Sequence, residues 1–456
     1  MFERGEPVSA RGRVHRLLAS QIKRFPDLEI AELDTRGLDP RDAALAHHIY
    51  DTVLRRWLTI QHLLSMSLEL PWEKLHPRVA APLMVAAAQI VFFDRIPLHA
   101  AVDEAVRAAK GAGPRSGGLC NAVLRGLVRT LGGDDSGNAF PSEKRPTWNA
   151  GWNEVPSSEG GAIGFKVDVL PKDPMTALSY GTSHAIEILR LWSKHFPLAE
   201  VKRLAWHGLA VPPVILNTAH AESALPEGSV AAHAVPGHHV WTGSHDDLAR
   251  LLDERPDVWV QDPASSLAVS SVADLRPKVV VDACAGMGTK TRQLRATFPE
   301  ARVVATDIDA VRLGALKDAM KGTGVEVVEY PKLQELAGQA DLVLLDVPCS
   351  NTGVLARRLE ARYRFDRARS ERLVSMQKQI IADAIPLLRH SGGGVARGAI
   401  LYSTCSLDPA ENQEQVRWAA KWHMFKVARE HTRTPQGGPG EAATSYTDGS
   451  YAALLS

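Results

Sequence analysis

Val279-Val280-Val281-Asp282-Ala283-Cys284-Ala285-Gly286-Met287-Gly288-Thr289-Lys290 is the stretch that decides the fold. Three valines in a row predict a buried strand, the two glycines a tight loop, and the residues after them a helix. A strand that runs through a glycine loop into a helix is the opening unit of an open α/β sheet. Such sheets bind ligands beyond the carboxyl ends of their strands. Gly286 and Gly288 let the backbone come close to a ligand. A second strand, Val303 to Ala305, ends in Thr306-Asp307-Ile308-Asp309. An acid at that tip commonly accepts hydrogen bonds from ribose hydroxyls. The expected site is therefore one for a nucleoside-containing cofactor, lined by Cys284, Ala285, Gly286, Met287, Gly288, Thr289 and Lys290, with Asp307 as the ribose acid. The loop lacks the third glycine of the dinucleotide fingerprint, which makes NAD the weaker reading.

Working outward, two more apolar runs follow, Leu342 to Leu345 and Ile400 to Tyr402. Each delivers a cysteine just past its end: Asp346-Val347-Pro348-Cys349-Ser350 and Ser403-Thr404-Cys405-Ser406. A cysteine is most often a small buried hydrophobe, and that reading suits Cys120 and Cys284. It suits Cys349 and Cys405 poorly, because both follow the apolar run and have polar neighbours. A rim thiol has a use in pyrimidine chemistry. Carbon 5 of cytosine is a weak nucleophile. A thiolate that adds to carbon 6 pushes electron density onto carbon 5, which can then take an electrophilic methyl; this is covalent catalysis. A free thiol ionises only near pH ~8.5, so such a site needs electropositive surroundings or nearby amides. Enzymes that methylate exocyclic amines usually carry Asp/Asn-Pro-Pro-aromatic where Asp346-Val347-Pro348-Cys349 stands, so attack on carbon is favoured.

Strands alternating with helices from Asp262 onward, for example the helical stretch Met376 to Leu388 with a glycine stop at Gly392 to Gly394, predict a doubly wound parallel sheet. The rest of the chain differs in character. Residues 10–130 read as all helix, with Asp39 as an N-cap ahead of Pro40 and a break at Gly117-Gly118. The apolar run Val79 to Phe93, broken by Pro82 and Gln89, reads as a buried helix and is too short to span a membrane. Residues 131–174, rich in Gly, Ser, Pro and Asn, read as a linker or insertion. Residues 175–260 read as a small α+β module, with a helix over Ser183 to Phe196 and a strand over Pro212 to Asn217. Residues 261–456 form the α/β domain. The fold class expected is thus multidomain: all-α, then small α+β, then doubly wound α/β.

At 456 residues the chain is too long for one compact domain. A net charge of +1 announces no polyanion partner, so any nucleic-acid surface has to come from local clustering. Four cysteines without CxxC spacing argue against a zinc site and suit a reducing cytosol. His47-His48 has no third ligand nearby and reads as structural. Met1 to Arg16 is polar and has no signal-peptide core. A cytoplasmic monomer without a metal is expected.

Three motifs together resemble the Sun/Nop/RsmB family of RNA cytosine-5 methyltransferases. They are Cys284-Ala-Gly-Met-Gly-Thr-Lys290-Thr, Asp346-Val-Pro-Cys-Ser-Asn-Thr-Gly353 and Tyr402-Ser-Thr-Cys-Ser-Leu-Asp-Pro-Ala-Glu-Asn412. The N-terminal stretch resembles the NusB-like RNA-binding domain of the RsmB branch, through Asp42-Ala-Ala-Leu45, Val53-Leu-Arg-Arg56, Arg95-Ile-Pro-Leu-His99 and Asn121-Ala-Val-Leu-Arg125. The resemblance implies S-adenosylmethionine as cofactor, ribosomal RNA of the small subunit as partner, and a class I methyltransferase fold for residues 261–456. It further implies Cys405 as nucleophile, Cys349 as the cysteine tied to product release, and Asp346 between cofactor and base. Met287 and Thr289 replace a Pro and a Gly of the family's loop, and no residue near Val327 to Pro331 matches its adenine contact. The run Arg357 to Arg372, with seven arginines around Tyr363 and Phe365, is expected to touch RNA. Two rivals from other classes are a non-catalytic RNA-binding or assembly factor on a methyltransferase fold, and a NAD-dependent oxidoreductase.

Overall fold

The computed structural model describes residues 9–29, 31–131, 151–390 and 398–456. The glycine stop expected at Gly392 to Gly394, residues 1–8 of the N-terminus and residues 132–150 of the expected linker lie outside them. The chain packs as two compact units. One contains residues up to Val211 with Ala356–Phe365 and Gly438–Gly440; the other contains Pro212–Leu355, Asp366–Gly437 and Glu441–Ser456.

The first unit is helical. It runs α1 (Ala10–Arg24), α2 (Pro40–Arg55), α3 (Trp57–Ser65), α4 (Pro77–Phe92), α5 (Leu98–Lys110) and α6 (Ser116–Thr130). Then come a hairpin of β1 (Glu154–Pro156) and β2 (Ala162–Gly164), and α7 (Pro174–Thr182), α8 (Ile186–His195) and α9 (Leu198–His207). Asp39 caps α2 as its position predicts, accepting from the N–H groups of Arg41 and Asp42. Helix α4 is apolar all round and buried from Val79 to Val91, the pattern of a helix at the centre of a bundle. The break expected at Gly117-Gly118 does not exist: α6 runs through both. A side chain at Gly117 would meet Lys110 Cγ at 2.9 Å, so this glycine lets α6 lie close against α5. The hairpin stands where composition suggested a linker; Val155, Phe165, Val169 and Leu170 bury their side chains around it. His47 and His48 are both exposed, and His48 has its ring 4.4 Å from that of Phe93.

The arginine run is in part a correction. Arg362 is fully buried and Tyr363 nearly so. Arg362 Nη1 donates to Arg55 O at 3.0 Å, and the Tyr363 hydroxyl donates to Leu54 O and lies 3.0 Å from Ser183 Oγ. These two side chains cap the carbonyl end of α2 and do not face solvent. Arg357, Arg358, Arg367 and Arg372 are exposed.

The second unit opens with an antiparallel sheet of order β4-β5-β3-β6. Its strands are β3 (Ile215–Asn217), β4 (Val230–Ala232), β5 (His238–Trp241) and β6 (Trp259–Val260), with α10 (His245–Glu254) between the last two. The main sheet then forms from β7 (Val279–Asp282), β8 (Arg302–Ala305), β9 (Glu326–Val327), β10 (Leu342–Asp346), β11 (Ala399–Thr404), β12 (Val427–Arg433) and β13 (Ser450–Leu455). Helices α11 (Pro263–Ser270), α12 (Thr289–Thr297), α13 (Ala310–Ala319), α14 (Arg367–Ala384) and α15 (Gln413–His423) alternate with them. The order is β12-β13-β11-β10-β7-β8-β9. The five strands from β11 to β9 are parallel, as a doubly wound sheet requires, and β13 pairs antiparallel with both β11 and β12. Leu342 to Leu345 are each 0% exposed. Burying each such side chain contributes about 1.5–3 kcal/mol before conformational entropy is subtracted. The register sets Asp282 beside Ala305 and Leu344, and Asp346 beside Ser403. The carboxyl ends of β7, β8, β10 and β11 therefore form one rim. Among the described residues, no helix is long and apolar enough to cross a membrane, and no cluster of His, Cys, Asp or Glu could hold a metal ion.

Candidate active site

The glycine loop leaves β7 at the rim. Gly286 and Gly288 adopt φ of +56° and +91°, a left-handed backbone that costs glycine little and most residues more. Nothing lies within 4 Å of where a side chain on Gly286 would begin. The loop is tied to the next strand on two sides. Ala285 N–H donates to Thr306 O at 2.9 Å, and Gly286 N–H donates to Asp307 Oδ2 at 2.9 Å. Asp307 also accepts from Asp309 N–H at 2.9 Å. Each carboxylate oxygen keeps a lone pair for a ligand hydroxyl. Around this acid three large apolar side chains stand exposed: Met287 at 70%, Ile308 at 80% and Val311 at 83%. A free-standing apolar group beside a polar loop is the surface an aromatic base with a ribose would cover. The donor set and the open cradle fit a nucleoside.

Asp282, fully buried at the end of β7, accepts from Thr291 Oγ1 at 2.7 Å, and its other oxygen has no hydrogen-bond partner. Burial pushes its carboxyl up to about 7, against the Thr291 bond that pulls it down. An acid raised in the folded state costs stability wherever the unfolded chain would ionise it. The cost is absent below the ordinary carboxylate range, grows as pH rises, and reaches at most about 4 kcal/mol above pH ~7. Asp282→Asn keeps the acceptor for Thr291. Urea unfolding should show the parent protein losing stability relative to this variant between about pH 4 and pH 7. A parallel pH dependence of the two proteins would refute the assignment.

The cysteines meet across β10 and β11. Their sulfurs lie 3.3 Å apart, and both side chains are partly accessible. Cys349 is held well above the ordinary thiol range, first because it hydrogen-bonds Cys405 and then because it is buried. Lys290, at the head of α12, donates to Asp346 Oδ2 at 2.7 Å. Burial works against its charge, but the Asp346 carboxylate, with smaller contributions from Cys405 and Asp282, holds the ammonium above its ordinary range. One cation thus stands by Asp346 and the nucleophile candidate together. The structure brings Cys349, Cys405, Asp346 and Lys290 together, and places Asp307 with the glycine loop.

Several supporting residues lie within the motifs that carry the resemblance but had no role assigned from the sequence. Glu411 is fully buried, and burial raises its carboxyl. It accepts from Ser350 N–H at 2.9 Å, from Ser350 Oγ at 2.5 Å and from Gln377 Nε2 at 3.1 Å. It thereby anchors the loop that carries Cys349. Thr404 and Asn412 pair side chain to side chain at 2.5 Å, and Asn412 also donates to Ser406 O. Gly353 N–H donates to Cys405 O at 2.9 Å. A side chain there would meet that oxygen at 2.7 Å and Gly449 O at 3.0 Å, so only glycine lets the two cysteine loops close on each other. The acid and amide crowded into Asp408 to Asn412, just past a strand tip, were the one local signal.

Comparison with known proteins gives the following. Residues 272–446 match the family model for the 16S rRNA methyltransferase RsmB/F, and residues 13–129 match the NusB family. The chain is 30% identical over 430 residues to ribosomal RNA small subunit methyltransferase B of Vibrio cholerae serotype O1, covering 91% of this chain and 90% of that protein. It is 28% identical over 392 residues to the protein of the same description from Xanthomonas campestris pv. campestris, covering 83% and 79%. Among solved structures, the crystal structure of PH0851 superposes with a TM-score of 0.67 at 19% identity, covering 99% of this chain and 100% of that one, a likeness of fold.

Proposed function

The chain belongs to the RsmB/F family of 16S rRNA methyltransferases, and on that premise we propose that it moves a methyl group from S-adenosylmethionine to carbon 5 of a cytosine in small-subunit ribosomal RNA. The observation that carries the reading is the pair of sulfurs 3.3 Å apart, on the rim shared with the glycine loop and the Lys290–Asp346 ion pair. Two thiols so placed serve covalent attack on carbon and have no use in methylating an amine.

The loop from Cys284 to Lys290 and Asp307 would hold the cofactor, with Met287, Ile308 and Val311 against its base. When bound, S-adenosylmethionine supplies a methyl group on a sulfonium, an electrophile. This chain's residues do the rest. Cys405, as thiolate, forms a bond to carbon 6 of a cytosine that is unpaired or flipped out of its helix. Lys290 offsets the thiolate charge, and Asp346 lies where it can hydrogen-bond the polar edge of the base. The added electron pair makes carbon 5 nucleophilic. After methylation the proton on carbon 5 leaves to a base, the carbon 5–carbon 6 double bond re-forms, and the carbon–sulfur bond breaks. Its electrons return to Cys405 Sγ, beside the Cys349 thiol, which can supply a proton.

The test is methyl transfer from labelled S-adenosylmethionine to 16S rRNA, with the modified nucleoside identified by mass spectrometry after digestion. 5-Methylcytidine is expected. Label found only on an exocyclic amine or a ribose oxygen would overturn the carbon-5 assignment.

A further inference from the structure

Asn351 lies between the two cysteines and has no part in the scheme above. Its backbone is left-handed, with φ of +61°, a conformation asparagine tolerates better than most residues with a side chain. Its Nδ2 donates to Cys349 O at 3.0 Å, and its Oδ1 lies 3.2 Å from Cys405 Sγ. The two ends of an amide are told apart by their partners. A peptide carbonyl can only accept, so the nitrogen must face Cys349 O and the oxygen must face the sulfur. Two further hydrogen bonds tie this loop to the one that carries Cys405. Thr352 Oγ1 accepts from Leu407 N–H at 2.9 Å, and Gly353 N–H donates to Cys405 O at 2.9 Å.

An amide oxygen accepts a hydrogen bond from a thiol and repels a thiolate. We propose that Asn351 is a positioning residue for the nucleophile: it orients the Cys405 S–H toward its own oxygen and thereby sets the pH at which Cys405 becomes reactive. The proposal rests on the reading of Cys405 as the attacking thiol. Lys290 at the head of α12 is electrostatically coupled to that sulfur, with Asp346 at the end of β10 and Asp282 at the end of β7 beside the ammonium, and Cys349 past β10 hydrogen-bonds the sulfur, with Glu411 past β11 beside Cys349. Among these groups Lys290 is the cation. Asn351 adds a neutral acceptor aimed at the proton itself. In the resting enzyme the hydrogen bonds form a chain, from the Cys349 thiol to Cys405 Sγ and from the Cys405 thiol to Asn351 Oδ1. Displacing the amide, or bringing a donor to the sulfur, is then what frees the thiolate.

The experiment is haloacetamide alkylation of Cys405 in the full chain as a function of pH, with the modified residue located by mass spectrometry. The midpoint of the profile is read, since the plateau also reflects access. Asn351→Asp gives up the bond to Cys349 O, puts a carboxylate beside the sulfur and should move the midpoint up by about one unit or more. Asn351→Gly suits the left-handed backbone, removes the acceptor, and should move it down by about half a unit or more. Midpoints unchanged in both variants, or moved in the opposite directions, would leave Asn351 as a turn residue and overturn the proposal. The covalent mechanism fails by a different result: a Cys405→Ala enzyme that still methylates RNA removes the nucleophile, whatever the alkylation profile shows.

Discussion

Cys349→Ala, mixed with its RNA and S-adenosylmethionine, should yield a protein–RNA band that survives a denaturing gel, while Cys405→Ala should yield none. The geometry explains the asymmetry. The two sulfurs are 3.3 Å apart, and Cys349 is held as a thiol by its hydrogen bond to Cys405 and by burial. Cys405 is the one of the pair beside the Lys290 ammonium, which responds to its charge. On the proposed mechanism the attacking group is Cys405, and Cys349 is its proton-bearing neighbour. Removing Cys349 leaves the first bond-forming step intact. It takes away the S–H that meets the departing thiolate, so turnover should fall by roughly 10²–10⁴, the usual contribution of a general acid. The adduct should accumulate in consequence. Removing Cys405 ends covalent attack altogether, with a loss of about 10⁴-fold or more. In the double variant the band should vanish again, because no sulfur remains to make it. Such non-additivity marks two groups acting in turn on one intermediate. A band from Cys405→Ala, and none from Cys349→Ala, would reverse the roles; unchanged rates in both would end the covalent mechanism.

What could be read in advance follows the physics of each segment. Parallel strands buried on both faces must be continuous apolar runs, so β7, β8, β10 and β11 were visible, and polar residues just past each run marked the rim. The hairpin of β12 and β13 was not. Strand β12 is a polar edge, exposed at Val427, Ala428, Glu430, His431 and Thr432, and carries no apolar pattern. The arginine run misled at Arg362 and Tyr363 because burial is not written in charge. Arg362 and Tyr363 satisfy carbonyls at the end of a helix some 307 and 309 residues away. Cys349 and Cys405 could be picked out from their positions alone. Glu411 and Asn351 could not. Glu411 meets Ser350 across 61 residues, and Asn351 meets Cys405 across 54, and such contacts exist only once the sheet register has formed.

Lys290→Met should lower kcat/KM by about 10²–10³ near neutral pH, the loss expected when a buried charge aimed at the reacting group is removed. Methionine retains most of the apolar stem, so packing at the head of α12 changes little, while the cation is lost. Asp346 then faces Cys405 and Asp282 with no countercharge among those three side chains. The sign follows directly. A neighbouring cation favours the ionised thiol, so its removal pushes ionisation to higher pH. At a fixed pH below that point the reactive fraction falls tenfold for each unit of the move. The acid limb of the pH–rate profile should therefore shift to higher pH, and raising the pH should recover part of the lost rate. Lys290→Arg keeps the charge with a different shape and should lose only about tenfold, since a planar guanidinium fits a site made for an ammonium imperfectly. The position of Lys290 at the end of the glycine loop also allows a role in holding the cofactor, and the kinetics separate the two. If S-adenosylmethionine affinity, measured by calorimetry, is unchanged while kcat drops, the ammonium acts on the thiol. If affinity falls and kcat stands, it acts on the cofactor, and the electropositive partner of Cys405 must be sought elsewhere on the rim.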